Sequence, residues 1–122
     1  MAIQSYRDLR VWQVAMDLAE MCYRLTSSFP KNEQYGLVSQ IRRASASVPA
    51  NIAEGYGRDS KGSYAQFLKV AQGSLKEVET HLLLAGRLGL VASAKIDPLL
   101  ASCDALGRML RSLIRAIERS SE

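Results

Sequence analysis

Residues 37–55 read LVSQIRRASASVPANIAEG, and this stretch decides the fold class. Leu37, Ile41, Ala44, Val48 and Ile52 recur at steps of three and four. At about 100° per residue that spacing gathers them on one face of an α-helix. Ala44, Ser45, Ala46, Ser47 and Ala50 are small, so a neighbouring helix can approach closely. Pro49 removes one backbone hydrogen bond and crowds the carbonyl four residues earlier, which predicts a kink or break there. Asn32-Glu33 can start this segment, and Gly55 and Gly57 end it.

Three more segments carry the same period. The first spans about residues 5–28, with Val11, Val14, Ala15, Leu18, Cys22, Leu25 and Phe29 on one band, Ser5 or Asp8 as cap and Phe29-Pro30 as stop. Trp12, Ala19 and Tyr23 form a second apolar line beside that band, a candidate surface for another subunit. After the turn-rich RDSKGS at 58–63, the third segment runs over about 61–88 on Leu68, Ala71, Leu75, Val78, Leu82 and Ala85, and Gly89 closes it. Its interior Gly73 costs about 1 kcal/mol against Ala, a cost that close backbone packing would explain. The fourth begins between Ser93 and Pro98 and keeps Leu99, Cys103, Leu106, Leu110, Leu113 and Ile117 on its core line. Short connections between long helices predict an all-α, antiparallel up-down four-helix bundle.

A chain of 122 residues and 13.4 kDa supports one domain, taken as 1–122. With 48% hydrophobic and 23% charged residues it is too apolar for a disordered chain. No stretch reaches the roughly 18–20 apolar residues that span a bilayer. The start MAIQSYRDLRVWQ lacks an apolar leader core, and Cys22 and Cys103 read as buried free thiols, so the cytoplasm is the expected location. The net charge of +4 permits a polyanionic partner without demanding one.

Catalytic and metal chemistry find little support. His81 is the single histidine and Val78 stands three residues before it, so the Glu-x-x-His pair of di-metal bundles is missing. No metal or other cofactor is expected. Glu54, Glu77 and Glu79 lack the tight repeat of helical pyrophosphohydrolases, and ion pairs with Arg42, Arg43 or Arg58 are the plainer role for them.

Two polar patterns stand out. Arg108, Arg111, Arg115 and Arg119 fall within about 120–200° of Leu99 on a helical wheel, an outward stripe about 16 Å long with no acid expected in it before Glu118. It reads either as a surface for phosphates or an acidic partner, or as a solvated face suited to a helix C-terminus. Gln40, Arg43, Ser47, Asn51 and Glu54 line one side of the second segment. They read either as a network facing a ligand or subunit, or as an internal lock on helix register.

A family resemblance runs through these words. Residues 35–44 (YGLVSQIRRA) and 47–55 (SVPANIAEG), then Gly57-Arg58, Phe67-Leu68, Ala71-x-Gly73-Ser74-Leu75-x-Glu77-x-Glu79-Thr80 and Leu9-x-Val11-Trp12-Gln13-x-Ala15 closely resemble the proteins encoded in intervening sequences of 23S ribosomal RNA, over about residues 6–113. The resemblance implies a four-helix bundle that assembles as a barrel-shaped homopentamer with a central opening. A related branch serves diversity-generating retroelements and binds the reverse transcriptase and nucleic acid through a basic surface. No catalytic residue carries over.

Three functions follow as expectations. The first is a non-enzymatic accessory protein that meets RNA or DNA phosphates through Arg108, Arg111, Arg115 and Arg119, with Arg42, Arg43, Arg58, Lys61 and Arg87 as weaker contributors. The second is a scaffold docking an acidic or helical protein. The third, an enzyme or small-ligand protein, would be built on Glu54, Glu77 and Arg43.

Overall fold

The computed structural model describes residues 2–120; Met1, Ser121 and Glu122, at the ends of the expected domain, lie outside it. Among the described residues the chain forms four α-helices and no strand: α1 (Arg10–Thr26), α2 (Ser39–Tyr56), α3 (Lys61–Arg87) and α4 (Ser93–Ser120). Each helix packs on the next in sequence, and α1 and α4 close the ring. Three contacts give the direction of travel. Arg42 of α2 reaches the C-terminal end of α1, Gly55 late in α2 lies against Tyr64 and Phe67 early in α3, and Lys69 of α3 pairs with Glu118 of α4. The bundle is therefore up-down and antiparallel, as the periodicity predicts.

The core follows the apolar lines closely. Leu18, Ile41, Ile52, Leu68, Leu75, Leu82, Leu106 and Leu110 are fully buried. Corrections fall on α1, where Val14 and Leu25 are only half-buried, and on α4, where Ile114 is buried and Leu113 and Ile117 are only half-buried. Leu113 and Ile114 differ by about 100° on the wheel, and α4 packs on α1 as well as on α3.

Helix starts differ from expectation in two places: α1 begins at Arg10 behind Leu9, which makes no side-chain cap, and α2 begins at Ser39. Ser5 caps a short 3-10 turn (Tyr6–Asp8) that precedes α1, with Asp8 reaching back to the Ser5 backbone in a capping box. Ser60 caps α3 by accepting from Ser63 N at 3.0 Å. The second segment does not start as α-helix at Asn32-Glu33. A 3-10 turn (Lys31–Glu33) leads into a wide turn (Gln34–Val38), and α2 proper begins at Ser39. Gly36 departs from helical geometry at φ −102°, ψ −113°, and Glu33 accepts from Leu37 N at 3.2 Å to hold the corner. Past Pro49, α2 continues without a break to Tyr56.

Glycines separate into packed and open ones. A Cβ at Gly55 would lie 2.8 Å from Phe67 Cβ and 3.2 Å from the Tyr64 carbonyl oxygen, so α2 and α3 touch there at backbone distance. The close-packing explanation fails for Gly73: nothing lies within 4 Å of where its Cβ would be. Gly89 takes φ +74° and ends α3.

Opposite effects are expected at two of these glycines. Gly55→Ala should lower stability by about 1–3 kcal/mol through overpacking. Gly73→Ala should raise it by about 0.5–1 kcal/mol through helix propensity. Urea midpoints measured side by side check both, and a destabilised Gly73→Ala would contradict the open site.

Candidate nucleic-acid interface and neighbouring clefts

Arg108, Arg111, Arg115 and Arg119 all lie exposed along α4. Arg108 pairs with Asp104 at 3.1 Å, so an acid does stand inside the stripe, one turn before its first arginine. That pair is about two-thirds exposed on both sides and is worth little against solvent screening. Arg111, Arg115 and Arg119 form no ion pair with the described residues. Glu118 turns toward α3 and pairs with Lys69 at 2.9 Å.

The other candidate cations divide. Arg42 is committed to the end of α1: its Nε donates to Thr26 Oγ1 at 2.9 Å, and its guanidinium lies 4.7 Å from the Tyr23 ring centroid. Arg58 pairs with Glu54 at 3.1 Å and stacks over Phe67 at 4.6 Å. Lys61 donates to the Ser120 carbonyl at 3.1 Å, tying the start of α3 to the end of α4. Arg87 is exposed at the opposite end of the bundle. Arg43 is exposed beside a shallow polar hollow between α2 and α3. The cations that sequence reasoning missed are Lys69 and Lys76, which with Arg111 line a cleft between α3 and α4. Their signal was the spacing 69, 72, 73, 76, one helix face, but its partner face on α4 emerges only when the bundle closes.

The polar line also divides. Asn51 Nδ2 donates to the Ser47 carbonyl at 2.8 Å and to Ser47 Oγ at 3.0 Å, and the Ser47 and Ser74 hydroxyls share a hydrogen bond at 2.8 Å. This part is an internal lock between α2 and α3. Gln40, Arg43 and Glu77 surround the hollow beside it. Glu54 lies on the other side of the Ser47–Ser74 contact, about 15 Å from the level of Glu77 along the helix axes. Glu79 faces α4 and pairs with Lys76 at 3.3 Å. Glu54, Glu77 and Arg43 are thus not assembled into one site. Among the described residues no group of three His, Cys, Asp or Glu side chains is placed to hold a metal, and no helix is long and apolar enough to cross a membrane. His81 is half-buried.

The second apolar line of α1 forms one wall of a groove of about 490 Å³. Trp12, Met16, Ala19 and Tyr23 of α1 face Pro49 and Ala50 of α2. The groove exists because small α2 residues stand opposite large α1 ones. Tyr23 remains 44% exposed and Met16 38%.

The sequence profile of the 23S rRNA-intervening sequence protein family matches residues 7–112. The chain belongs to that family. The crystal structure of a protein of unknown function from the S23 ribosomal protein family of Bacteroides thetaiotaomicron superposes with a TM-score of 0.75 at 23% identity, covering 85% of this chain and 97% of that one. That likeness carries the fold. No curated protein matches the chain in sequence.

Both cysteines are free and fully buried. Burial pushes the Cys22 thiol up to about 11, with a hydrogen bond from Ser45 opposing, and burial with the nearby Cys22 and Glu79 pushes Cys103 up to about 12. Both are neutral and unreactive at pH 7. Above pH 9 an unfolded chain releases these protons while the folded chain keeps them, so stability should fall as pH rises from about 9 towards 11–12 and be unaffected by the thiols below 9. Denaturation midpoints across about pH 7–10.5 in Cys22→Ala/Cys103→Ala and wild type check the sign. A thiol reagent at about pH 7 should label neither cysteine until the bundle unfolds.

Proposed function

We propose that the protein is a non-enzymatic accessory protein that binds the phosphate backbone of RNA or DNA through the outer face of α4, as a homo-oligomer. One observation carries this reading: Arg111, Arg115 and Arg119 stand exposed on a single stripe with no ion pair to a described residue, and Arg108 is held only by an exposed one. Guanidinium groups spaced by one helical turn suit a row of phosphates, and their binding is electrostatic and weakly selective for sequence. The separation of Glu54 from Glu77 and Arg43 and the neutral buried thiols favour a binding role over a catalytic one.

Membership of the family supports a homopentamer. The α1–α2 groove lined by Trp12, Ala19 and Tyr23 is the surface through which copies meet. Repetition around a ring multiplies the stripe, so each chain's modest +4 becomes a strongly positive assembly. The same groove favours one second reading, in which it docks an apolar helix of another protein, such as a reverse transcriptase, and the arginine stripe meets acidic groups of that protein.

A salt titration tests the first reading. Wild type should bind single-stranded RNA with about micromolar affinity near 0.1 M salt, and log K should fall steeply with log salt. Changing Arg108, Arg111, Arg115 and Arg119 to Gln should flatten that slope by about 0.7 for each phosphate that is no longer neutralised. No binding by wild type, or an unchanged slope, would move the protein-docking reading to first place. Light scattering tests assembly. Wild type should run as a multiple of 13.4 kDa. Ala50→Glu should reduce it to a single chain with an unchanged helical spectrum. A wild-type monomer at micromolar concentration overturns the oligomer.

A further inference from the structure

Gly73 and Gly107 sit in the interiors of α3 and α4, where glycine weakens a helix by about 1 kcal/mol against Ala. Neither makes a turn. Nothing lies within 4 Å of a Cβ built at Gly73, and at Gly107 only Leu75 Cδ2 comes to an ordinary 3.6 Å. Close packing therefore explains neither. Both instead line the α3–α4 cleft, about 380 Å³, a size that suits a small molecule.

Charged and polar side chains run the length of that cleft. Lys69 meets Glu118, and Leu75 touches the Gly107 position, which fixes the register of the two antiparallel helices. Arg111, one turn beyond Gly107, then falls level with Gln72 and Gly73, between Lys69 and Lys76. Asp104, one turn the other way, falls beside Lys76 and Glu79, above the buried Cys103. One end thus offers Arg111, the Gln72 amide and Lys69, the last paired with Glu118; the other offers the carboxylates of Glu79 and Asp104, paired with Lys76 and Arg108. The pairs that hold Lys69, Lys76 and Asp104 are about half exposed or more on at least one side, so each can open to a ligand at little cost. The bare backbones of Gly73 and Gly107, with Leu75 buried beneath them, form the floor between the ends.

We propose that this cleft binds a nucleoside monophosphate. The phosphate sits against Arg111 and Lys69, and the sugar and base lie over the bare backbones of Gly73 and Gly107. Glu79 and Asp104 accept from the amino group of the base. The site goes beyond the oligonucleotide stripe, with which it shares Arg111 alone.

Calorimetric titration of the full chain with AMP, inorganic phosphate and adenosine tests it. AMP should bind about tenfold or more tightly than either fragment, since only AMP spans both ends. Arg111→Gln should weaken AMP by about tenfold. Gly73→Ala should weaken AMP by about tenfold as well while raising the melting temperature, a pairing that a purely structural glycine would not produce. Arg115→Gln/Arg119→Gln, which touches neither end of the cleft, should keep AMP affinity whether or not oligonucleotide binding is weakened, which separates this site from the stripe. AMP binding no tighter than phosphate, no AMP binding at millimolar concentration, or unaltered AMP affinity in Gly73→Ala each overturns the proposal.

Discussion

The bundle depends on the close approach of α2 to α3. Gly55 lets the two backbones touch at Phe67 and Tyr64, and the Ser47 and Ser74 hydroxyls meet at 2.8 Å about two turns away. Between these two points the register of α3 against α2 has no freedom. A side chain at residue 55, or a larger one at 47 or 74, would push the helices apart along the seam where the core leucines and isoleucines interdigitate. Because α3 is fixed on α2, its Lys69–Lys76 face is turned outward to α4, and α4 must then present its arginines away from the core.

The surface inherits its division of labour from this frame. Cations near helix ends hold the bundle: Arg42 binds the last turn of α1, and Lys61 the last turn of α4, each satisfying carbonyl or hydroxyl groups that a helix terminus leaves over. Arg111, Arg115 and Arg119 on the outer face of α4 form no ion pair with the described residues, and Arg108 forms only an exposed one. Burial of both thiols removes nucleophilic chemistry from the core. What remains outward is an arginine stripe, a charged cleft beside it and an apolar groove across the bundle.

Helix number, order and core were legible in the sequence because they rest on period alone. The lines through Leu18, Ile41, Leu75 and Leu106 needed no tertiary knowledge. The corner before α2 was not legible, since the non-helical Gly36 is held by Glu33 reaching across it, a contact that no propensity announces. The role of Arg42 was hidden for a related reason: Thr26 and Tyr23 are distant in sequence and adjacent only after α1 and α2 pair. A helical wheel shows the α4 stripe and also places Asp104 at about 140°, within it, so the pair with Arg108 was legible one turn before the first arginine. The α3–α4 cleft was invisible because each helix contributes half of it.

The α4 arginines, and not the cations tied into the bundle, are the groups proposed to meet phosphate. Side-chain Nε–Hε resonances of the arginines, followed by NMR during titration with a short single-stranded RNA, test this most directly. Arg108, Arg111, Arg115 and Arg119 should shift together while Arg42 stays where it is. Movement of Arg42 with the α4 arginines unmoved, or no movement at all, would contradict the proposal.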